Sequence, residues 1–147
     1  MNEAIETAAA TLGDRAKRDV PLGPLTTYGV GGPAALFLEH CGPDDLLLAR
    51  EAVAASGVPV LIVGRGSNLL VADRGFPGLA LTLGDDFTAI HRDEEQTVIR
   101  AGGGLSLPVL ARRTAALGLR GLEWAVGVPG TVGGGVRMDA GGHGSDI

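Results

Sequence analysis

Eight of the eighteen residues from Gly127 to Gly144 are glycine. Glycine gives up more backbone freedom on folding than any other residue, so such density makes an ordinary long helix or strand unfavourable there. It implies instead a backbone that something approaches closely. A second loop of this character, Gly64-Arg65-Gly66-Ser67-Asn68, directly follows the apolar run Val58-Pro59-Val60-Leu61-Ile62-Val63, which reads as a buried strand. Two loops of the kind that cradle phosphates suggest a dinucleotide ligand.

The chain has 147 residues, 45% of them apolar, enough for one domain or for two small lobes. Its aromatic residues are only Phe37, Phe76, Phe87, Tyr28 and Trp124, so the core must be built from Leu, Val and Ala. By the same count, aromatic stacking is not the expected way to hold a ring-shaped ligand. A net charge of −5 with scattered Lys and Arg argues against nucleic acid as a partner. The first residues carry Glu3 and Glu6 and lack the pattern of a signal peptide, and no apolar run approaches the roughly 20 residues that cross a bilayer. The lone Cys41 forms no internal disulfide and offers no metal-site spacing. No metal and no membrane association are expected, and a cytoplasmic protein is the simplest expectation.

Along the chain, residues 1–20 read as a lead-in helix and an extended approach, 21–84 as a first lobe and 85–147 as a second, with the boundary at Gly84-Asp85-Asp86. In the first lobe Ala35–Glu39 reads as a strand. A helix begins at Pro43-Asp44 and stops at Gly57. Val58–Val63, Leu69–Val71 and Leu79–Leu83 read as further strands, with a turn over residues 73–78. In the second, Phe87–His91 and Gln96–Ala101 form a hairpin across a charged turn, and a helix runs from about Leu107 to Leu117 with Gly118 as its stop. The order predicts an α+β protein of two small lobes, not a doubly wound parallel sheet.

In Gly64–Asn68 the glycines permit positive φ, successive amides can form an anion nest, and Ser67 and Asn68 add a hydroxyl and a carboxamide. A tight strand-to-strand turn accounts for the same residues. The loop is not a GxGxxG fingerprint, which needs a helix directly after it, and it lacks the Lys-Ser/Thr of a P-loop. Gly102-Gly103-Gly104 by itself reads as a turn. Around Gly127-Val128-Pro129-Gly130-Thr131, Pro129-Gly130 sets a turn, and Thr131 can cap a short helix through Val132, Gly133 and Gly134. Free amides at such a helix start would seat a phosphate or a flat ring, and a packed glycine crossing is the competing explanation.

Four segments in order resemble the UDP-N-acetylenolpyruvoylglucosamine reductase (MurB) family. They are Thr26-Thr27-Tyr28-Gly29-Val30-Gly31-Gly32-Pro33-Ala34; Val63 to Val71 with Asp73 and Gly75; Ala101-Gly102-Gly103-Gly104; and Gly118 to Gly134. The resemblance runs from about Pro21 to the end. It implies the PCMH-type FAD-binding fold, shared with vanillyl-alcohol oxidases, in which two α+β lobes hold FAD. By position, Gly64, Arg65, Gly66, Ser67 and Asn68 would hold the diphosphate. Gly102 and Gly103, with Gly127, Val128, Pro129, Gly130, Thr131, Gly133 and Gly134, would pass beside the cofactor. Asp139, Gly141 and Gly144 would complete the wall.

The same resemblance implies NADPH as co-substrate and hydride transfer from reduced flavin to a UDP-sugar enolpyruvyl group, giving UDP-N-acetylmuramate. Where the family carries Asn-Ala-Gly-Ala-Tyr-Gly, this chain has Asp139-Ala140-Gly141-Gly142-His143-Gly144, placing a carboxylate near the cofactor's anions or out in solvent beside Arg137. Family members are about twice as long. Their catalytic Arg, Ser and Glu and their substrate-binding lobe are expected beyond Ile147, so the second lobe reads as truncated, no catalytic residue is assigned, and UDP-sugar binding needs the missing half. His91 and His143 read as structural or solvated. Two expectations follow: an inactive flavin-binding fragment, or a flavin-free module for partner binding or self-association through edges such as Val126, Val128 and Val132.

Overall fold

The structure is a computed structural model and describes residues 2–93 and 98–147. The chain divides into two units, residues 1–84 and 85–147. The order of elements in the first is α1 (Asn2–Leu12), β1 (Lys17–Pro21), β2 (Pro33–Cys41), α2 (Pro43–Ser56), β3 (Val60–Ile62) and β4 (Phe76–Leu83). The strands form one sheet in the order β1-β2-β4-β3. The β1/β2 pair is antiparallel, whereas β2 and β3 both run parallel to β4. Parallel neighbours need a long connection, which α2 and the 63–75 loop supply.

Burial explains this sheet. Leu36 and Leu38 of β2 and Leu79 and Leu81 of β4 cluster with Ala8 and Leu12 of α1, Ala49 and Ala52 of α2, and Cys41 and Val58. Phe37 and Ala80 join the second apolar cluster, with Leu22, Ala34, Val63 and Val71. Alternation along each strand thus feeds two cores. Residues 17–21, read from the sequence as an extended approach, are β1, and α1 contributes buried residues to the core. Ion pairs Arg18–Glu6 (2.7 Å) and Lys17–Glu39 (2.5 Å) lie at its surface, where such pairs contribute little.

Two sequence expectations fail here. The strand expected at Leu69–Val71 does not form: the segment is irregular, Ala72 O accepts from the Gly32 and Gly75 amides, and Leu70 is 71% exposed. Hydrophobicity alone could not show that the segment stays off the sheet, with Gly31 packed against Val71 and Gly32 N bonded to Ala72 O. Nor is β3 a buried strand. It is an edge strand with Val60 and Ile62 exposed, and the buried residues, Val58 and Val63, flank it.

Helix α2 begins with Pro43 at its first turn and ends at Gly57, whose φ of 66° is the left-handed stop that glycine favours. The Asp45 carboxylate accepts from the Gly42 amide at 2.9 Å, half of a capping box, since Gly42 has no side chain to reciprocate. That bond and Arg15 hold the Asp45 pKa below its ordinary value.

Cys41, fully buried beneath this unit, has its thiol pushed up to about 11 by burial, with a smaller contribution from Asp45. About one thiol in a thousand is then ionised at pH 8. A raised pKa means that the neutral thiol favours the fold below the unfolded value, and that this contribution is lost as pH rises through about 11. Native protein is therefore expected to leave Cys41 unmodified by Ellman's reagent at pH 8, with full reaction in denaturant. Rapid native labelling would show that the site opens.

The second unit contains β5 (Ile90–Asp93), β6 (Val98–Ala101), α3 (Leu107–Ala116), α4 (Val132–Met138), β7 (Gly141–Gly142) and β8 (Ser145–Asp146). β5 and β6 form the expected antiparallel hairpin; residues 94–97 of its turn lie outside the described residues. α3 ends before Gly118, with φ of 75°. Leu107 and Ala111 of α3 pack with Trp124 and Ala125 of a 3₁₀ turn at Glu123–Gly127. The architecture is α+β. Among the described residues no helix is long and apolar enough to cross a membrane.

Candidate functional site

In the first unit, β3 delivers the chain into Gly64–Asn68. Gly66 is buried with φ of 63°, and Gly64, Arg65 and Asn68 are exposed with Ser67 half-buried. A Cβ on Gly66 would overlap Leu25 O and stand 2.7 Å from Thr26 Cα, so this glycine is required by the protein's own chain crossing. Gly66 O also accepts from the Thr27 amide at 3.1 Å. That bond secures the inner side of the loop. Among the described residues, the amides of Gly64, Arg65 and Asn68 donate to no protein acceptor. The structure shows the tight crossing at Gly66 and leaves Gly64, Arg65 and Asn68 exposed.

The glycines of the second unit behave differently. A Cβ on Gly102 would overlap Phe87 O, and one on Gly133 would come within 3.0 Å of Gly103 O. Ser106 and Thr131 form an antiparallel bridge between the two glycine loops. Leu107 N donates to Gly130 O at 3.1 Å, Val132 N to Leu105 O at 2.8 Å, and Gly133 N to Gly103 O at 2.9 Å. Thr131 caps α4 as its sequence predicts, accepting from Gly134 N at 3.2 Å, and Gly135 N donates to Thr131 O at 2.8 Å. The helix start expected to offer free amides therefore has them engaged inside the unit. Sequence reasoning missed this because the acceptors lie about thirty positions upstream. What Gly133 and Gly134 do offer is exposed backbone without side chains.

Asp139 is the exposed left-handed stop of α4, with φ of 51°. Asn and Asp are the non-glycine residues that tolerate this conformation best, so the structure accepts either. His143 (φ 53°) and Gly144 (φ 82°) are the two loop residues of the β7/β8 hairpin, and both positive φ angles match a type I′ turn. Gly141 packs against Asp146 and Ser145 within this ribbon. Beside it lies an open recess of about 450 Å³ lined by Gly121, Glu123, Trp124, His143 and Ser145. Glu123 accepts from the Gly121 amide at 2.7 Å and is held below its ordinary pKa by backbone bonds from its own amide and from Gly121. Val128 packs against Gly142, and Pro129 leads into the Gly130 turn. Among the described residues, no three His, Cys, Asp or Glu side chains are placed to hold a metal.

The chain is α+β, with a glycine-rich loop after a parallel strand in the first unit and glycine loops zipped to each other in the second. Comparison gives the cofactor: the family model described as FAD binding domain matches residues 41–147, and the chain belongs to that family. It carries the N-terminal FAD-binding portion of the MurB architecture. The UDP-N-acetylenolpyruvoylglucosamine reductase of Synechococcus sp. CC9311 is 46% identical over 87% of this chain and 41% of its own length. That of Anoxybacillus flavithermus is 49% identical over 83% of this chain and 40% of its own. A crystal structure of the reductase from Thermus caldophilus superposes with a TM-score of 0.66 at 34% identity, covering 90% of this chain and 45% of that one. The chain thus spans less than half the length of these relatives.

Proposed function

We propose that this chain is the FAD-holding part of an NADPH-dependent, cytoplasmic reductase of UDP-N-acetylglucosamine enolpyruvate, acting in peptidoglycan synthesis and hence in cell shape and division. The observation that carries the reading is the 64–68 loop, whose inner side is bolted to Thr27 while its outer amides and Arg65 face solvent. These donors suit a diphosphate: the Gly64 and Arg65 amides and the Arg65 guanidinium supply positive charge, and Ser67 and Asn68 supply short polar groups. FAD held there would supply hydride transfer between a nicotinamide and an electron-poor carbon.

In the second unit the exposed Gly133 and Gly134 backbone, bare of side chains, lets a flat ring approach. The isolated chain is expected to bind flavin without turning substrate over.

The test is an FAD titration followed by flavin fluorescence. The Arg65→Glu/Asn68→Asp variant alters two exposed positions and puts carboxylates at the anion site. Its FAD affinity is expected to fall tenfold to about a hundredfold, the loss of one or two charge-assisted hydrogen bonds. Unchanged affinity would remove the diphosphate from this loop. A folded wild-type chain with no saturable binding would favour the flavin-free interaction module.

A further inference from the structure

The segment Thr26–Ala34 has no role in the reading above, yet it is tied directly to the 64–68 loop. Thr26 is buried, its hydroxyl donates to Gly23 O at 3.0 Å and accepts from Gly29 N at 3.2 Å, and the next amide, Thr27 N, bonds Gly66 O. At its far end, Gly32 N donates to Ala72 O at 3.0 Å, and Gly31 lies against Val71 so closely that a Cβ would meet Val71 O at 2.9 Å. That contact sets Val30 and Leu70 on adjacent stretches of chain.

On this pinned segment the large side chains are nonetheless turned out. Tyr28 is 62% exposed, Val30 53% and Leu70 71%. One aromatic and two aliphatic side chains therefore stand in water on backbone held at both ends and tied to the 64–68 loop. A dinucleotide has the matching chemistry, an anionic diphosphate continuous with flat, weakly polar rings.

We infer that Tyr28, flanked by Val30 and Leu70, is a cofactor-binding residue that stacks on one ring system of FAD next to the diphosphate held by Gly64–Asn68. The inference rests on the placement of the diphosphate in that loop. It runs against the expectation, drawn from the scarcity of aromatic residues, that stacking plays no part. A single ring is sufficient, because the backbone that carries it is already held by the fold and a ring has few rotamers to lose.

The experiment is the FAD titration of the whole chain, with ADP and FMN as further ligands and Tyr28→Ala and Tyr28→Phe beside Arg65→Glu. Both Tyr28 variants should melt with the wild type, since the ring is largely exposed. Tyr28→Ala is expected to bind FAD about tenfold more weakly or worse, and Tyr28→Phe within about twofold of wild type, because stacking needs the ring and not the hydroxyl. A parallel loss with ADP places the ring on the adenosine side; a loss with FMN and none with ADP places it on the flavin side, and either supports the inference. Tyr28→Ala binding as tightly as wild type while Arg65→Glu weakens would overturn the stacking role and leave the diphosphate site intact. If Arg65→Glu also binds normally, or wild type binds no FAD, the diphosphate placement fails and the inference with it.

Discussion

Gly66→Ala is expected to destabilise the first unit by about 3 kcal/mol or more, whereas Gly57→Ala should cost only about 1 kcal/mol. The two glycines share nearly the same backbone, φ 63° and 66°, so the left-handed penalty for a Cβ is common to both. Their surroundings differ. Nothing lies within 4 Å of a Cβ on Gly57, while one on Gly66 would overlap Leu25 O and crowd Thr26 Cα. Backbone atoms cannot rotate away as a side chain can, so the 3₁₀ turn at Gly23–Leu25 would have to shift, breaking the Thr27–Gly66 bond. Urea unfolding of both variants measures the difference. Equal costs would mean that Gly66 is kept for conformation alone. The result also governs how flavin experiments are read, since loss of FAD in a Gly66 variant would report a damaged fold rather than a lost phosphate contact.

Leu79→Ala should remove about 2–5 kcal/mol. Leu79 is fully buried, sits on the central strand β4 and is register partner of Leu36 on β2, also fully buried. The cavity would open under α1 and α2, where Ala8, Ala49 and Ala52 are too small to fill it. Leu36→Ala should cost a similar amount, and the double variant should depart from additivity by at least about 0.5 kcal/mol because the two side chains share one void. Urea denaturation followed by far-ultraviolet circular dichroism is the check. A cost below about 1 kcal/mol for Leu79→Ala would show that the helices settle into the space.

Much of the fold was legible because its signals are local. Pro43 and Gly57 bracket α2, Thr131 caps α4, and Gly118 follows α3. Each depends on atoms within a few residues, so residue type at a position suffices. The strand expected at Leu69–Val71 failed for the opposite reason: whether an apolar triplet joins a ladder depends on distant chain, and here the neighbours that fix it are Gly31 and Gly32, about forty residues upstream, not a strand. The site divides in the same way. The 64–68 loop was visible as a glycine-rich segment after a strand, and the family resemblance gave it a ligand class. That Gly66 faces its own protein while Arg65 faces solvent was not visible.

The sequence by itself determined the α+β class, the helix limits, the glycine loops and, through four ordered segments, the FAD-binding family. Tertiary structure alone decided what each glycine is for. It turned the α4 amides inward onto Gly103 and Leu105, tied Thr27 to Gly66, and left Tyr28 exposed at the next residue. The physical reason is that glycine carries no side chain to record its purpose. Its role is written only in the neighbour that occupies the space where a Cβ would stand, and those neighbours come from distant parts of the chain.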